Sequence, residues 1–441
     1  MSHDGGVVRR CAAEPMKADD DLKTNAPLAL TAFLIVSWLK APALYMAPRM
    51  WSEEGTLYFG AIQSLGLIDS MTLVVRANIQ FLTNAIVYLA TQVPLSWAAH
   101  VTTYLSFAIA AFTAHLIVLF CASYGIRRSV CLAAVIIWAL LPPTYEVFAT
   151  ATNAQWVCSL SILLICALPP HILQTRYEPA LYVWVIACGL TGVPSSITAP
   201  GFFLRGIAER SRPHLVIGIL LSICALIQLA LIITHPIEGR SFAFAPSTLV
   251  LPGLLQTVLA PIMSADIVEL IGAKIRSSDA GADVVTTATV LVSLSLICLA
   301  AALAWASRWR GLVAVLLLLW ALVSVLNTFG AFGGYPEGLI SGWGGARYYL
   351  FGCVCFLLLL VLGTRAHDRL ARWISVALIC LMGAVSVAQM IMSPWTRGLT
   401  EGPSWASEVE RCAPAGSCVV TVWPGGAEWT FEVRQQGHTE R

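Results

Sequence analysis

The sequence predicts an all-α protein, a polytopic helical transmembrane bundle of roughly ten or eleven spans with a small polar tail at its C-terminal end. Two observations predict it. Of 441 residues, 58% are hydrophobic and only 11% are charged. The apolar runs are also continuous and rich in Leu, Ala, Val and Ile, without the ten-residue alternation of barrel strands. Helices of this kind satisfy their own backbone groups in lipid. A net charge of +2 with no basic tract interleaved with aromatics gives no sign of nucleic-acid binding.

Residues 1–25 are polar and of mixed sign (Arg9, Arg10, Asp19, Asp20, Asp21, Lys23). They read as a disordered cytoplasmic lead-in to an uncleaved anchor at 26–46, because no small-residue cleavage site follows the anchor. The membrane domain occupies 26–392. Its first external loop, 49–95, carries Asp69, Arg76, Asn78, Gln80 and Asn84 and reads as one or two helices on the outer face. Spans are expected near 97–121, 129–148, 154–169, 214–234, 284–306, 311–329, 348–364 and 373–392. The stretch 180–204 is interrupted by Gly192, Val193 and Pro194 and reads as two half-length helices meeting at a turn. Residues 235–283, with Pro236, Pro246, Pro252 and Pro261, read as a long external segment with amphipathic pieces. Residues 393–441 form the small extracytoplasmic tail, where Val419 to Trp423 looks like a strand.

Orientation follows from loop arginines. With the N-terminus cytoplasmic, one side collects Arg127, Arg128, Arg176, Arg205, Arg210, Arg212, Arg308, Arg310, Arg365, Arg369 and Arg372. An odd number of crossings then puts the tail outside. There Cys412 and Cys418 flank a short turn, and a disulfide between them needs an oxidising compartment. The remaining cysteines mostly lie alone in apolar runs and read as small buried hydrophobes.

The chemistry is expected around Arg49-Met50-Trp51-Ser52-Glu53-Glu54-Gly55, where a chain with few charges places three of them just beyond its first span. Adjacent helical residues diverge by about 100°, so Glu53 and Glu54 cannot share a role. One can face a pocket as a general base for an acceptor hydroxyl. The other can face water, Arg49 or a divalent cation, magnesium or manganese. An acidic first turn complementing a helix dipole accounts for the pair equally well. Arg347, in Gly345-Ala346-Arg347-Tyr348, is placed for bidentate phosphate recognition, or is an interfacial anchor beside Tyr348. Arg76 and Lys40 add cations near the same face, Lys40 reading chiefly as a snorkelling side chain. Asn153, Gln155 and Trp156 suit hydrogen bonding and stacking on a sugar, or an ordinary helix start. The Pro194-Ser195-Ser196 break needs partners for its freed backbone groups and so should line a cavity. No nucleotide, serine-hydrolase or zinc motif is present.

Together these features resemble the GT-C-fold glycosyltransferase-like membrane proteins of bacteria. They are Trp51-Ser52-Glu53-Glu54-Gly55 after the first span, external helices after it, Asn153 to Trp156, the Pro194 break, and Gly345-x-Arg347-Tyr348 before a late span. Uncharacterised members carry Glu-Asp-Gly in the first loop, where this chain has Glu54 in the second place. The resemblance implies residence in the cytoplasmic membrane and a polyprenyl-phosphate sugar donor. It also implies a glycan or lipid acceptor, Glu54 or Glu53 as base or metal ligand, and Arg347 and Arg76 stabilising the leaving phosphate. A flippase for lipid-linked sugar and a non-catalytic membrane protein are the rival readings.

Overall fold

The computed structural model describes residues 17–236, 246–277, 281–331, 339–340, 345–392, 401–412 and 417–434. It is a multi-pass helical membrane protein. Among the described residues six helices are long and apolar enough to cross a bilayer: Leu95–Ser123, Arg212–Thr234, Ala282–Trp305, Arg310–Thr328, Ala346–Gly363 and Arg369–Met392. Six shorter apolar helices accompany them, among them Ala26–Lys40, Phe81–Thr91, Arg128–Leu140 and Ala151–Ala167.

Two helices lie at the centre of the bundle. Every residue of Leu350–Gly363 is buried, and Ala154–Ala167 is buried at all positions but Gln155. A helix apolar all round belongs in the centre of a bundle. Protein rather than lipid surrounds it there, so it can stop short of the roughly 30 Å hydrocarbon thickness with irregular backbone at its ends. Arg212–Thr234 and Ala282–Trp305 lie outside, turning Ile219, Ile223, Leu226, Leu291 and Val292 outward.

Several expected boundaries move. The first helix begins at Lys17, inside the segment expected to be disordered, and ends at Lys40, where Ala41-Pro42 interrupts it; residues 1–16 lie outside the described residues. The expected span 129–148 ends at Leu140, before Pro142 and Pro143. Pro143 has no N–H to give the Ala139 carbonyl. The buried Lys40 ammonium donates to that oxygen instead at 2.9 Å and to the Thr144 hydroxyl at 2.7 Å, with the Tyr145 and Phe148 rings each 4.5 Å away. Lys40 is therefore a cap for a broken helix rather than a snorkelling side chain. Part of the expected external segment 235–283 packs into the bundle: Leu251, Leu254, Leu255 and Val258 are buried, and Ala265–Arg276 is amphipathic. Residues 237–245, 332–338 and 341–344 lie outside the described residues.

The loop expected to be external, 49–95, contains a helix from Glu54 to Ile62, a short helix Leu67–Met71 and a two-stranded hairpin, Val74–Val75 with Asn78–Ile79. The hairpin turns through Arg76 and Ala77, at φ 49° and 64°. A two-residue hairpin turn of this twist needs positive φ at both positions, and neither residue is glycine. Its second strand repairs the 180–204 break: the Ile79 carbonyl accepts from Gly192 N–H at 3.1 Å and from the Gln228 side chain at 2.9 Å. Phe81 N–H donates to the Leu190 carbonyl at 3.0 Å.

The tail packs on the same loop. Its helix Trp405–Cys412 is joined to strand Ser417–Thr421 by the Cys412–Cys418 disulfide, and that strand pairs antiparallel with Thr430–Arg434. Trp423 stacks on Trp51 with ring centroids 3.9 Å apart, and the Trp405 indole donates to the Leu95 carbonyl at 3.0 Å. Gly55 sits beneath this contact: a Cβ there would lie 2.7 Å from Val422 Cγ1 and 2.9 Å from the Phe431 ring. Replacing Gly55 with Ala should therefore cost about 1–3 kcal/mol by overpacking. The expected result is a lower thermal midpoint in detergent with faster proteolysis of the tail; an unchanged midpoint and a protected tail would contradict this packing.

Candidate functional site

A single cavity of about 520 Å³ gathers most of the residues singled out in the sequence. Glu53 and Arg76 come from the first loop, Asn153, Gln155 and Trp156 from the start of a central helix, Val193 and Pro194 from the break, and Arg347 and Tyr348 from the entry to Leu350–Gly363. Leu229 and Ile232 form an apolar wall with Leu57, Ile197 and Leu326. Leu229 is also half exposed, so the wall reaches the outer surface of the bundle.

Glu53 is the carboxylate in the cavity. It ends the turn leading into the Glu54–Phe59 helix, accepts a hydrogen bond from the Ser52 hydroxyl at 2.6 Å and stands 3.4 Å from Arg76 Nη1. Burial pushes its carboxyl up, but the Ser52 hydroxyl and the Arg347 and Arg76 charges outweigh that and hold it below the usual range. It is ionised at neutral pH.

Arg347 is positioned by Gly345, whose φ of 67° turns the chain into the short helix Ala346–Tyr349. Its guanidinium donates to Glu146 Oε2 at 3.1 Å. Glu146 follows the double proline and was not singled out in the sequence, where it passes as the polar end of a span. Burial pushes the Glu146 carboxyl up while Arg347 pulls it back. Two acids and two guanidiniums thus meet at one end of the bundle, their charges balanced.

The amides are partly committed. Asn153 Nδ2 donates to the Glu146 carbonyl at 2.9 Å and to the Thr150 hydroxyl at 3.0 Å. Gln155 packs against Gly192, at φ 93°. Trp156 meets the Tyr348 ring edge to face at 4.8 Å, and its indole N–H has no partner among the described residues.

Three expected site residues lie elsewhere. Glu54 is fully buried, its carboxyl accepting the Ala151 N–H at 2.6 Å, and it does not line the cavity. Arg49 serves the tail, donating to the Glu401 carbonyl at 2.6 Å and lying over the Trp423 ring. Ser195 is buried under the Pro194 turn and does not line the cavity. Among the described residues no three of His, Cys, Asp and Glu gather to hold a metal. Glu53 and Glu146 are each already paired with a guanidinium, so the donors present do not fit a divalent cation held by the protein.

Burial pushes the Glu54 carboxyl up to about 7. The folded protein therefore holds that proton more tightly than the unfolded chain. The contribution of Glu54 to stability is complete below about pH 4.5 and declines as pH rises towards about 7, by roughly 3 kcal/mol. Thermal midpoints measured from pH 4.5 to 8 should show this decline, and Glu54→Gln should flatten it. An identical pH dependence in the variant would remove Glu54 as its source.

Comparison with family models, with curated proteins and with solved structures returned no match for this chain.

Proposed function

We propose that this protein is a GT-C-like membrane glycosyltransferase that moves a sugar from a polyprenyl-phosphate donor to a glycan or lipid acceptor. The reaction takes place on the extracytoplasmic face of a bacterial cytoplasmic membrane. One observation carries the reading: an ionised carboxylate, Glu53, shares a cavity with two guanidiniums, Arg76 and Arg347, beside an apolar wall that reaches the outer surface of the bundle. The orientation is supported by the tail, whose disulfide lies at the cavity end.

The chemistry follows from this charge set. The prenyl chain lies along Leu229 and Ile232, and the donor phosphate sits between the guanidiniums. The acceptor oxygen bonds to the anomeric carbon as the bond from that carbon to the phosphate oxygen breaks. The acceptor proton passes to Glu53, and the electron pair leaves on the lipid phosphate, where Arg76 and Arg347 stabilise the growing charge. Before substrate arrives the same arginines hold Glu53 ionised and weakly basic. A phosphate that draws them away raises the proton affinity of Glu53 when it is needed. Trp156 and Gln155 offer an aromatic face and an amide to the sugar. A flippase would need its charged groups at the bilayer midplane; here they gather at one end, which favours surface chemistry.

With purified full-length protein and a radiolabelled polyprenyl-phosphate hexose, Glu53→Gln should lower turnover by about 10²–10⁴-fold. Glu54→Gln, measured near pH 6, should stay within about tenfold, since its carboxyl is outside the cavity. Wild-type turnover in Glu53→Gln would refute the base assignment, and failure of the wild type to use any such donor would refute the reading as a whole.

A further inference from the structure

A second hollow, of about 280 Å³, lies at the other end of the bundle from the cavity. Arg127, Arg308, Arg365 and Arg372 line it, with Trp309 and Thr364. The four arginines come from three separate helix connections: 124–127, 306–309 and 364–368 with the first turn of Arg369–Met392. The connections are fixed to one another. His367 N–H donates to the Ala306 carbonyl at 3.2 Å, Trp309 packs edge to face on Tyr124 at 5.1 Å, and the position a Gly125 Cβ would take is 3.9 Å from Arg365 Nη2.

Among the described residues no carboxylate lines this hollow and none of the four guanidiniums has an ion-pair partner. Asp368, the nearest acid in sequence, turns its carboxylate to the Ala371 N–H at 2.7 Å. Arg205, at the same end, is different: it is buried, bonded to Glu209 and caps the Leu168 carbonyl at 2.9 Å. Each connection joins one helix C-terminus to one helix N-terminus, so the backbone dipoles offset one another and the guanidiniums set the field. The bias of loop arginines towards one face explains their sign. It does not explain why four of them from three loops converge on one concave site.

We infer that this hollow is a binding site for a phosphate-bearing anion. Guanidiniums engage phosphate oxygens in pairs, and four of them suit two phosphate groups close together. Two sources supply that chemistry: a lipid headgroup from the adjoining leaflet, which an indole such as Trp309 at a helix end suits, and a soluble diphosphate.

The test uses the full chain purified in neutral detergent. In one arm inorganic pyrophosphate is titrated by calorimetry. In the other, cardiolipin, phosphatidylglycerol and phosphatidylcholine are added and retained adducts are counted by native mass spectrometry. Binding in the first arm identifies a soluble ligand; retention of the anionic lipids over phosphatidylcholine identifies a headgroup. In either arm Arg308→Gln with Arg365→Gln should weaken binding at least tenfold, while Arg176→Gln with Arg212→Gln, at the same end but outside the hollow, should change it less than twofold. Should the first pair not fold, Arg365→Gln alone carries the comparison with an expected loss of about threefold or more. No binding in either arm, or equal loss in both pairs, overturns the proposal.

Discussion

The ion pair between Arg347 and Glu146 is the constraint on which the upper end of this bundle depends. Arg347 introduces the central helix, which is buried at every position, and Glu146 sits in the turn after the Pro142-Pro143 break. Neither charge has much water: their side chains are 24% and 13% exposed. Removing one partner of such a partly buried pair leaves the other charge poorly compensated and destabilises the fold. The pair therefore holds two chain segments 201 positions apart in one geometry. Glu53 and Arg76 extend it into a balanced set of four, and this set is also what a phosphate would enter.

Around these charges the bundle repairs two interruptions of its helices with a specific side chain or strand. Lys40 replaces the N–H that Pro143 lacks. Gln228, a lone amide in an otherwise apolar helix, bonds the Ile79 backbone through both ends of its side chain. The hairpin strand completes the break at Leu190–Gly192. Unpaired backbone groups in lipid cost several kcal/mol each, so these partners make irregular backbone affordable where it shapes the cavity. The Arg76-Ala77 turn adds strain of its own, since left-handed backbone costs non-glycine residues roughly 1–2 kcal/mol each. That strain places a guanidinium over the carboxylate.

Much of this was legible in the sequence, and the illegible parts share a cause. The apolar runs located the long helices, and the short motifs around Glu53, Asn153, Pro194 and Arg347 marked chain segments that do meet. Which of Glu53 and Glu54 faces the cavity was not readable, because neighbouring residues differ by 100° of helical phase and only packing against Ala151 and Val422 sets that phase. Gly55 read as part of an acidic motif, and its role is steric. Glu146 and Gln228 were passed over because a single polar residue near a span carries no periodic signal. Residues 235–283 read as external on the strength of their prolines and charges, and within them Leu251, Leu255 and Leu259 pack together with Val268 and Ile340.

The central claim is that Glu53, Arg76 and Arg347 form one receptor for a lipid phosphate. An experimental structure of the protein in a lipid nanodisc with a short-chain polyprenyl phosphate tests it most directly. The account predicts phosphate density between Arg76 and Arg347, within reach of Glu53, with the chain along Leu229 and Ile232. A phosphate bound elsewhere, with this cavity holding only solvent at saturating ligand, would contradict it.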